Sequence, residues 1–399
     1  MSSSSPATIP FVDLSLLHQP LQADILAVVE QVLTQGDYVL GEAVNQFEAA
    51  FAEACGVPFG VGVGSGTDAI ALGLRACGIS AGDEVILPAN TFIATLIGIV
   101  TVGAVPVFVD CDPHTALIDL EAAEKAITPK TRGILPVHLY GQMVSPVALL
   151  AFAKRHNLVI FEDAAQAHLA QREGYTAGSV GMAAAFSFYP SKNLGAIGDG
   201  GMLVTSQEMV AQTVRSLRNY GATRKYFHSD PGGTNSRLDT LQAGVLALKL
   251  PHLMDWNRDR NQLAAYYDQA LAPLAAEGLV PMKNVSDEGH VYHLYVVRVA
   301  NSCPLDRTRL QLELSSQDIQ TGIHYPTPCH LQPAFKSLGH RIGDFPHAEA
   351  LSQEILSLPM YPGLTTVQID RVVGAIKTAI EAAKLETSKL QSGSLAETV

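Results

Sequence analysis

Residues 59–78 read FGVGVGSGTDAIALGLRACG, and this stretch decides the fold. An apolar strand runs through a glycine-rich turn, Gly64 to Gly66, straight into a helix. The same strand–turn–helix order repeats downstream. EVILPA (84–89) precedes a helix from about Phe92 to Val102, and VPVFVD (105–110) precedes one from about Asp119. RGILPVHLYG (132–141) precedes VALLAFAKRH (147–156), and LVIFEDAAQA (158–167) follows. These strands are continuous apolar runs rather than alternating ones, as expected when helices cover both faces of a sheet. The pattern predicts a mostly parallel sheet whose ligands lie at the carboxyl ends of its strands. AAAFSFYP (183–190) and GMLVTS (201–206) read as its last two strands, with Lys192 in the loop between them.

Ahead of this region, Leu21, Ile25, Val28, Val29, Val32 and Leu33 fall at helical spacing, and Gly36 closes that helix. A second helix carries Phe47 and Phe51 and ends at Gly56, and the loop between them is GDYVLG (36–41). Beyond Gly221 the pattern loosens into helical segments at 241–253 and 261–274. A strand is read at HVYHLYVVRV (290–299), with further helices at 305–314 and 369–384. The chain therefore divides into an N-terminal segment and large α/β domain (1–255), a smaller α+β domain (256–385), and a tail (386–399) expected to be disordered.

Bulk composition removes several classes. Hydrophobic content of 47% with 16% charged residues is that of a globular chain. A net charge of −12 argues against a nucleic-acid binder. Five scattered cysteines without a CxxC fit a reducing, cytoplasmic compartment rather than a disulfide framework or a zinc finger. MSSSSPATIP has no basic or apolar region of a signal peptide, and Ser2 to Ser5 is the only low-complexity block. Residues 91–109 are almost free of charge, yet Gly98, Gly103 and Pro106 and the lack of basic flanks favour a buried helix and strand over a membrane span.

Three features carry chemistry. The loop FSFYPSKNLGAIGDGG (186–201) sets Lys192 among glycines that let backbone approach a ligand. Taken alone, Lys192 reads as a solvated charge, as most lysines are; held in a buried loop, its amine becomes a nucleophile. GSGTDAI (64–70) offers the free amides of a helix N-terminus as a phosphate seat, or else is simply a tight strand–helix turn. Its glycines do not match GxGxxG, which sets a nicotinamide fingerprint aside. Asp163, at the end of an apolar strand, is either a helix cap or a buried carboxylate awaiting a positive partner such as a protonated ring nitrogen. Gln166 could then hydrogen-bond a neighbouring ring oxygen. Taken together, a phosphate seat, a buried carboxylate and a lysine at strand ends of one sheet are what pyridoxal 5′-phosphate requires.

At these residues the chain resembles the DegT/DnrJ/EryC1/StrS sugar aminotransferases, of the aspartate-aminotransferase-like (PLP type I) fold. The resemblance runs from about Pro10 to Leu385 and rests on YVLG, SGTDAI, PANTF, EDAAQAH, FYPSKNLG..GDGG, and NSRLD followed by QA. It implies that Lys192 forms the cofactor's Schiff base and later shuttles the proton. Asp163 would pair with the pyridinium nitrogen and Gln166 lie near the ring hydroxyl. Gly66, Thr67 and Ser187 would hold the phosphate. Phe92 would stack on the ring or else be a core phenylalanine. Asn235 would reach the phosphate of the other subunit of a homodimer with shared sites. Leu169 and Thr240 depart from the family's glycine and acid at those positions, neither of them catalytic.

The segments HVYHLYVVR and GIHYPTPCHLQPAF (322–335) resemble the branch that aminates C3 of nucleotide-linked keto-deoxyhexoses. In that case Tyr189, His324 and Tyr325 would contact the sugar, with Lys225 and Tyr226 from a neighbouring loop, although Lys225 could equally be solvated. The resemblance thus implies conversion of a dTDP-3-keto-6-deoxyhexose to the dTDP-3-amino-3,6-dideoxyhexose, with L-glutamate as donor and a ping-pong course. Amination at C4 and a non-catalytic PLP-binding regulator are the alternatives. A histidine in place of Lys192 would mark the family's dehydratases. A metal site at His324, Cys329 and His330 is disfavoured by the prolines between them and the lack of a fourth ligand.

Overall fold

In the computed structural model, which describes residues 8–396, the stretch that opened the reading folds as its spacing predicts. Strand β1 (Phe59–Val63) leads through Gly64 and Ser65 into helix Gly66–Ala76. Ser65 stops the strand and starts the helix, its side chain accepting the Asp68 N–H at 3.1 Å. Strands β2 (Glu84–Pro88), β3 (Val105–Val109), β4 (Thr131–Ile134), β5 (Val159–Asp163), β6 (Ala183–Ser187) and β7 (Gly201–Thr205) complete a seven-stranded sheet. Their order is β1-β7-β6-β5-β4-β2-β3. All neighbours pair in parallel except β7, which runs antiparallel to both β1 and β6.

The reversal at β7 follows from its connection. A parallel return needs a crossover, usually helical, but residues 188–200 form no helix, and the ladder pair Ser187–Gly201 closes them into a loop. Helices cover the sheet at close range. At Gly73 an added Cβ would stand 2.4 Å from the Phe161 ring, and at Gly98 one would stand 2.3 Å from Ile70. The charge-free run 91–109 forms helix Ile93–Thr101, which packs through Gly98 on the helix Gly66–Ala76, and strand β3. No helix among the described residues is long and apolar enough to cross a membrane.

A smaller antiparallel sheet follows: β8 (Leu279–Pro281), β9 (Tyr295–Val299) and β10 (Ile355–Leu358), in that order. Helices Arg307–Ser315 and Thr366–Ala396 pack around it, with Tyr267, Leu310, Leu314 and Ile376 at the centre of a second apolar cluster. Helix Leu253–Leu271 joins the two cores, with Leu253 in the first and Tyr267 and Leu271 in the second. The division expected near residue 255 falls inside this helix.

Two expectations differ from the structure. Of the strand read at 290–299, only Tyr295–Val299 is strand. Residues 290–294 bond sideways instead: the Val291 and Leu294 N–H groups donate to the Gly141 and Tyr140 carbonyls, and Tyr292 takes a φ of 38°. The region beyond Glu386, read as a disordered tail, continues the last helix through Ala396. Residues 397–399 of that tail and the serine run 2–5 lie outside the described residues.

Candidate active site

At the carboxyl edge of the large sheet, four strand ends open into one cavity of about 340 Å³. From β1 come Ser65, Gly66 and Thr67, and beyond β2 come Thr91 and Phe92. Strand β5 ends on Asp163, followed by Ala165 and Gln166, and β6 ends on Ser187, followed by Tyr189, Ser191 and Lys192. His293, His324 and Tyr325 wall the remaining side.

Lys192 faces this cavity from the loop 188–200. Burial disfavours its ammonium and lowers its pKa to about 8, with the attraction of Asp163 working against the shift. Asp163 is shifted oppositely: burial raises its pKa, while bonds from the Thr95 hydroxyl and the Ala165 N–H and the charge of Lys192 favour the anion. Thr95 Oγ1 donates to Asp163 Oδ2 at 2.6 Å, and the Ala165 N–H to Oδ1 at 3.1 Å. A carboxylate has about four acceptor sites, so Asp163 keeps capacity for a cationic partner in the cavity. The helix-cap reading is thereby narrowed: Asp163 bonds one local amide and a hydroxyl from another helix.

The turn after β1 is a seat built by backbone. Gly66 and Thr67 begin a helix, so their N–H groups lack intrahelical acceptors. A Cβ on Gly66 would stand 2.8 Å from Ser187 Cβ, and one on Gly201 would stand 2.3 Å from the Ser65 carbonyl carbon. Only glycine lets these chains close on one another, leaving amides and the Thr67 and Ser187 hydroxyls as the seat's polar groups. Behind it, His168 Nε2–H donates to the Ser187 carbonyl at 2.9 Å. Burial among Phe51, Phe186 and Phe188 lowers the His168 pKa to about 3, so this ring is neutral.

Gln166 Oε1 accepts the Tyr140 N–H at 2.7 Å, and its amide donates to Tyr325 Oη at 3.0 Å. Phe92 is half-exposed rather than a core residue, its ring centroid 5.3 Å from that of Tyr325. His324 Nδ1 pairs with Ser357 Oγ at 2.9 Å, and burial together with Lys192 lowers its pKa to about 4. His324 is therefore a neutral hydrogen-bonding group. Cys329 and His330 turn elsewhere, to the Thr91 carbonyl and to Glu349. Among the described residues no group of three or more His, Cys, Asp or Glu side chains could hold a metal ion.

Ten of the thirteen residues singled out from the sequence thus line one cavity: Gly66, Thr67, Phe92, Asp163, Gln166, Ser187, Tyr189, Lys192, His324 and Tyr325. Three do not. Asn235 is exposed and bridges Asn219, while Lys225 and Tyr226 form the exposed tip of hairpin 222–228. The sequence reading missed Thr91, Thr95 and His293. A signal existed for the threonines, since they stand four residues apart at the entry to a charge-free helix.

The cavity's contents fit a phosphorylated, protonated aromatic aldehyde: amide seat, anionic acceptor and free amine occur in one enclosure. Comparison with known proteins agrees. The family profile described as the DegT/DnrJ/EryC1/StrS aminotransferase family matches residues 19–377. A Streptomyces venezuelae protein named dTDP-3-amino-3,4,6-trideoxy-alpha-D-glucose transaminase is 44% identical over 94% of this chain and 97% of its own. A Geobacillus stearothermophilus protein named pleiotropic regulatory protein is 44% identical over 92% of this chain and 97% of its own. The crystal structure of S. venezuelae DesV in complex with a ketimine intermediate superposes with a TM-score of 0.90 at 44% identity, covering 94% of this chain and 99% of that one. Solved neighbours hold the cofactor in pyridoxamine and pyridoxal phosphate forms.

Proposed function

The chain belongs to the DegT/DnrJ/EryC1/StrS aminotransferase family, a family dependent on pyridoxal phosphate, and from that premise we propose that it aminates C3 of a dTDP-linked 3-keto-6-deoxyhexose with L-glutamate as donor. The observation that carries the reading is the meeting of Lys192, Asp163 and the Gly66–Thr67 seat in one cavity. The relative named as a 3-amino-sugar transaminase supports the choice of C3.

Within this proposal the residues divide the work. The amides of Gly66 and Thr67 and the hydroxyls of Thr67 and Ser187 bind the phosphate. Asp163 holds a proton at the ring nitrogen, Gln166 lies beside the ring and Phe92 covers its face. When bound, the cofactor supplies an electron sink for the electrons of a broken C–H bond. Lys192 Nζ, whose pKa of about 8 leaves a part of it as free amine near neutral pH, takes the proton from the donor's α-carbon and in the second half delivers one to C3 of the sugar. Tyr189, Tyr325 and the neutral His324 offer hydrogen bonds to the sugar rather than charge.

A second copy of the chain completes the site in this proposal. Asn235, Lys225 and Tyr226 are exposed here, and so are the large apolar side chains Leu26, Leu33, Tyr38, Tyr220 and Phe227. A homodimer would cover the apolar group and bring Asn235 to the neighbour's phosphate. The division near residue 255 and a cytoplasmic location belong to the same proposal, the latter supported by five unpaired cysteines.

The test is turnover with glutamate and a panel of dTDP- and UDP-linked keto-sugars, with products identified by NMR. An amine at C3 of a dTDP-sugar is expected. An amine at C4 overturns the regiochemistry, and failure of the yellow protein to half-transaminate with any amino acid overturns the enzyme reading.

A further inference from the structure

Asp163 reaches the cavity with a hydroxyl relay behind it. Thr95 is fully buried in helix Ile93–Thr101, and its hydroxyl hydrogen is committed to Asp163 Oδ2 at 2.6 Å. The 2.8 Å contact between Thr91 and Thr95 hydroxyls must then have Thr91 as donor. Thr91 is also buried, and it is fixed from the far side: its carbonyl accepts from Cys329 Sγ at 3.2 Å, and the Cys329 N–H donates to the Ala89 carbonyl at 2.9 Å.

The arrangement departs from what helical threonines normally do. Such hydroxyls turn back onto the carbonyl four residues earlier. Thr101, in the same helix, does so with Ile97 at 2.7 Å. Thr95 leaves its own helix for the carboxylate and receives, in exchange, the hydroxyl of the residue four positions earlier. Hydrogen bonds in such a chain polarise one another, and the effect is strongest where water is excluded.

The relay answers a specific need. Burial alone pushes Asp163 toward the neutral acid, and a neutral acid cannot hold a cationic ring nitrogen. The titratable groups facing the carboxylate are Lys192, His138 and the Tyr325 phenol. Lys192 favours the anion only while it is an ammonium, and it is neutral whenever it acts as a base. The Ala165 N–H and the two hydroxyls are the donors that remain.

We propose that the Thr91–Thr95 hydroxyl pair keeps Asp163 ionised and aimed at the cofactor's ring nitrogen, which makes Thr95 a positioning residue for the aminotransferase reaction. The inference rests on the reading of Asp163 as the partner of that nitrogen, and the test separates the two. The protein is reconstituted with pyridoxal phosphate carrying ¹⁵N in the ring, and the ring-nitrogen shift is followed from about pH 6 to 9.

Wild type is expected to stay protonated over most of this range and to begin losing the proton near its upper end, where a downward shift shows. Thr95→Val, which keeps the shape and removes the hydroxyl, is expected to lower the nitrogen's midpoint by about one unit, tenfold in the protonation equilibrium. Thr91→Val should shift it less in the same direction, and Thr95→Ser should restore it. A Thr95→Val protein titrating like wild type, beside an Asp163→Asn protein that loses the proton, overturns the relay alone. An unchanged nitrogen in Asp163→Asn overturns the assignment of Asp163 and the relay with it. If Thr95→Val does not fold, Thr91→Val decides: a downward shift supports the relay and no shift refutes it.

Discussion

Asp163→Asn should make Lys192 more reactive toward electrophiles in the protein without cofactor, although it removes the carboxylate proposed to hold the ring nitrogen. Two opposed effects set the Lys192 amine at about 8 instead of 10.5: burial, which lowers the pKa, and attraction by Asp163, which raises it. At pH 7 a pKa of 8 leaves about one amine in ten unprotonated, against about one in three thousand at 10.5, a difference of roughly 300-fold. Taking away the carboxylate removes the restraint and leaves burial unopposed, so the free-amine fraction at pH 7 rises further. Competitive labelling of the apoprotein with trace acetic anhydride from pH 6 to 10, read by mass spectrometry on the Lys192 peptide with exposed Lys225 as reference, measures this directly. Labelling of Lys192 is expected to inflect near 8 in wild type and at lower pH in Asp163→Asn. An inflection near 10, or an upward move in the variant, would refute the balance of burial and attraction.

Further outcomes follow from buried charges and from the exposed loop. Lys249 is buried, donates to the Gly195 carbonyl and to His18 Nε2 at 3.2 Å, and is also lowered to about 8 by desolvation. Between about pH 8 and 10.5 the unfolded chain holds a proton on this lysine that the folded one does not, so stability should rise with pH across that window. Lys249→Met should remove about 2–3 kcal/mol of that rise in urea titrations of the apoprotein at the two ends of the window, and equal rises in both proteins would contradict the argument. Glu48 and Arg218 form a buried pair, and Glu48 also accepts the Gly62 N–H at 2.8 Å. Glu48→Ala leaves the guanidinium buried without its partner and should cost about 3–5 kcal/mol, read as a lower melting temperature by calorimetry. Mixing Lys192→Ala with Asn235→Ala subunits should restore part of the activity through hybrid dimers with one intact site; none after verified exchange would count against a shared site.

The sheet was legible because its strands are written as charge-free runs such as VILP and VFV, each bounded by glycine, proline or an acid. The residues at strand ends were legible for the same reason: once β5 and β6 are recognised, Asp163 and Ser187 fall at their carboxyl ends by counting. What escaped were contacts made across elements. His293 lines the cavity and Thr95 bonds its Asp163 from behind only because an irregular segment and a helix fold against it, and no local pattern in the sequence encodes that approach. The strand read at 290–299 failed similarly. Its β-branched and aromatic composition suits a strand, but Val291 and Leu294 find backbone partners at Gly141 and Tyr140 instead of a neighbouring strand. Asn235, Lys225 and Tyr226 were singled out by resemblance, and in one chain they stand exposed, away from the cavity.

The reversed strand β7 bears on how such a site can diversify. Elsewhere in the sheet a change in the segment after a strand propagates into a crossover and into the placement of the next strand. The lysine loop is different, because Ser187 and Gly201 face each other across a ladder and both its ends stay fixed. Doubling the length of a closed loop adds only about 0.6 kcal/mol of closure entropy. Asn193 to Ala196 are buried, so insertions at residues 197–199 are the ones that can accumulate and reshape the cavity mouth around Asp199 while the strand register holds. The reversal gives the fold a cassette for evolutionary change in the wall of the cavity, next to a lysine that keeps its place.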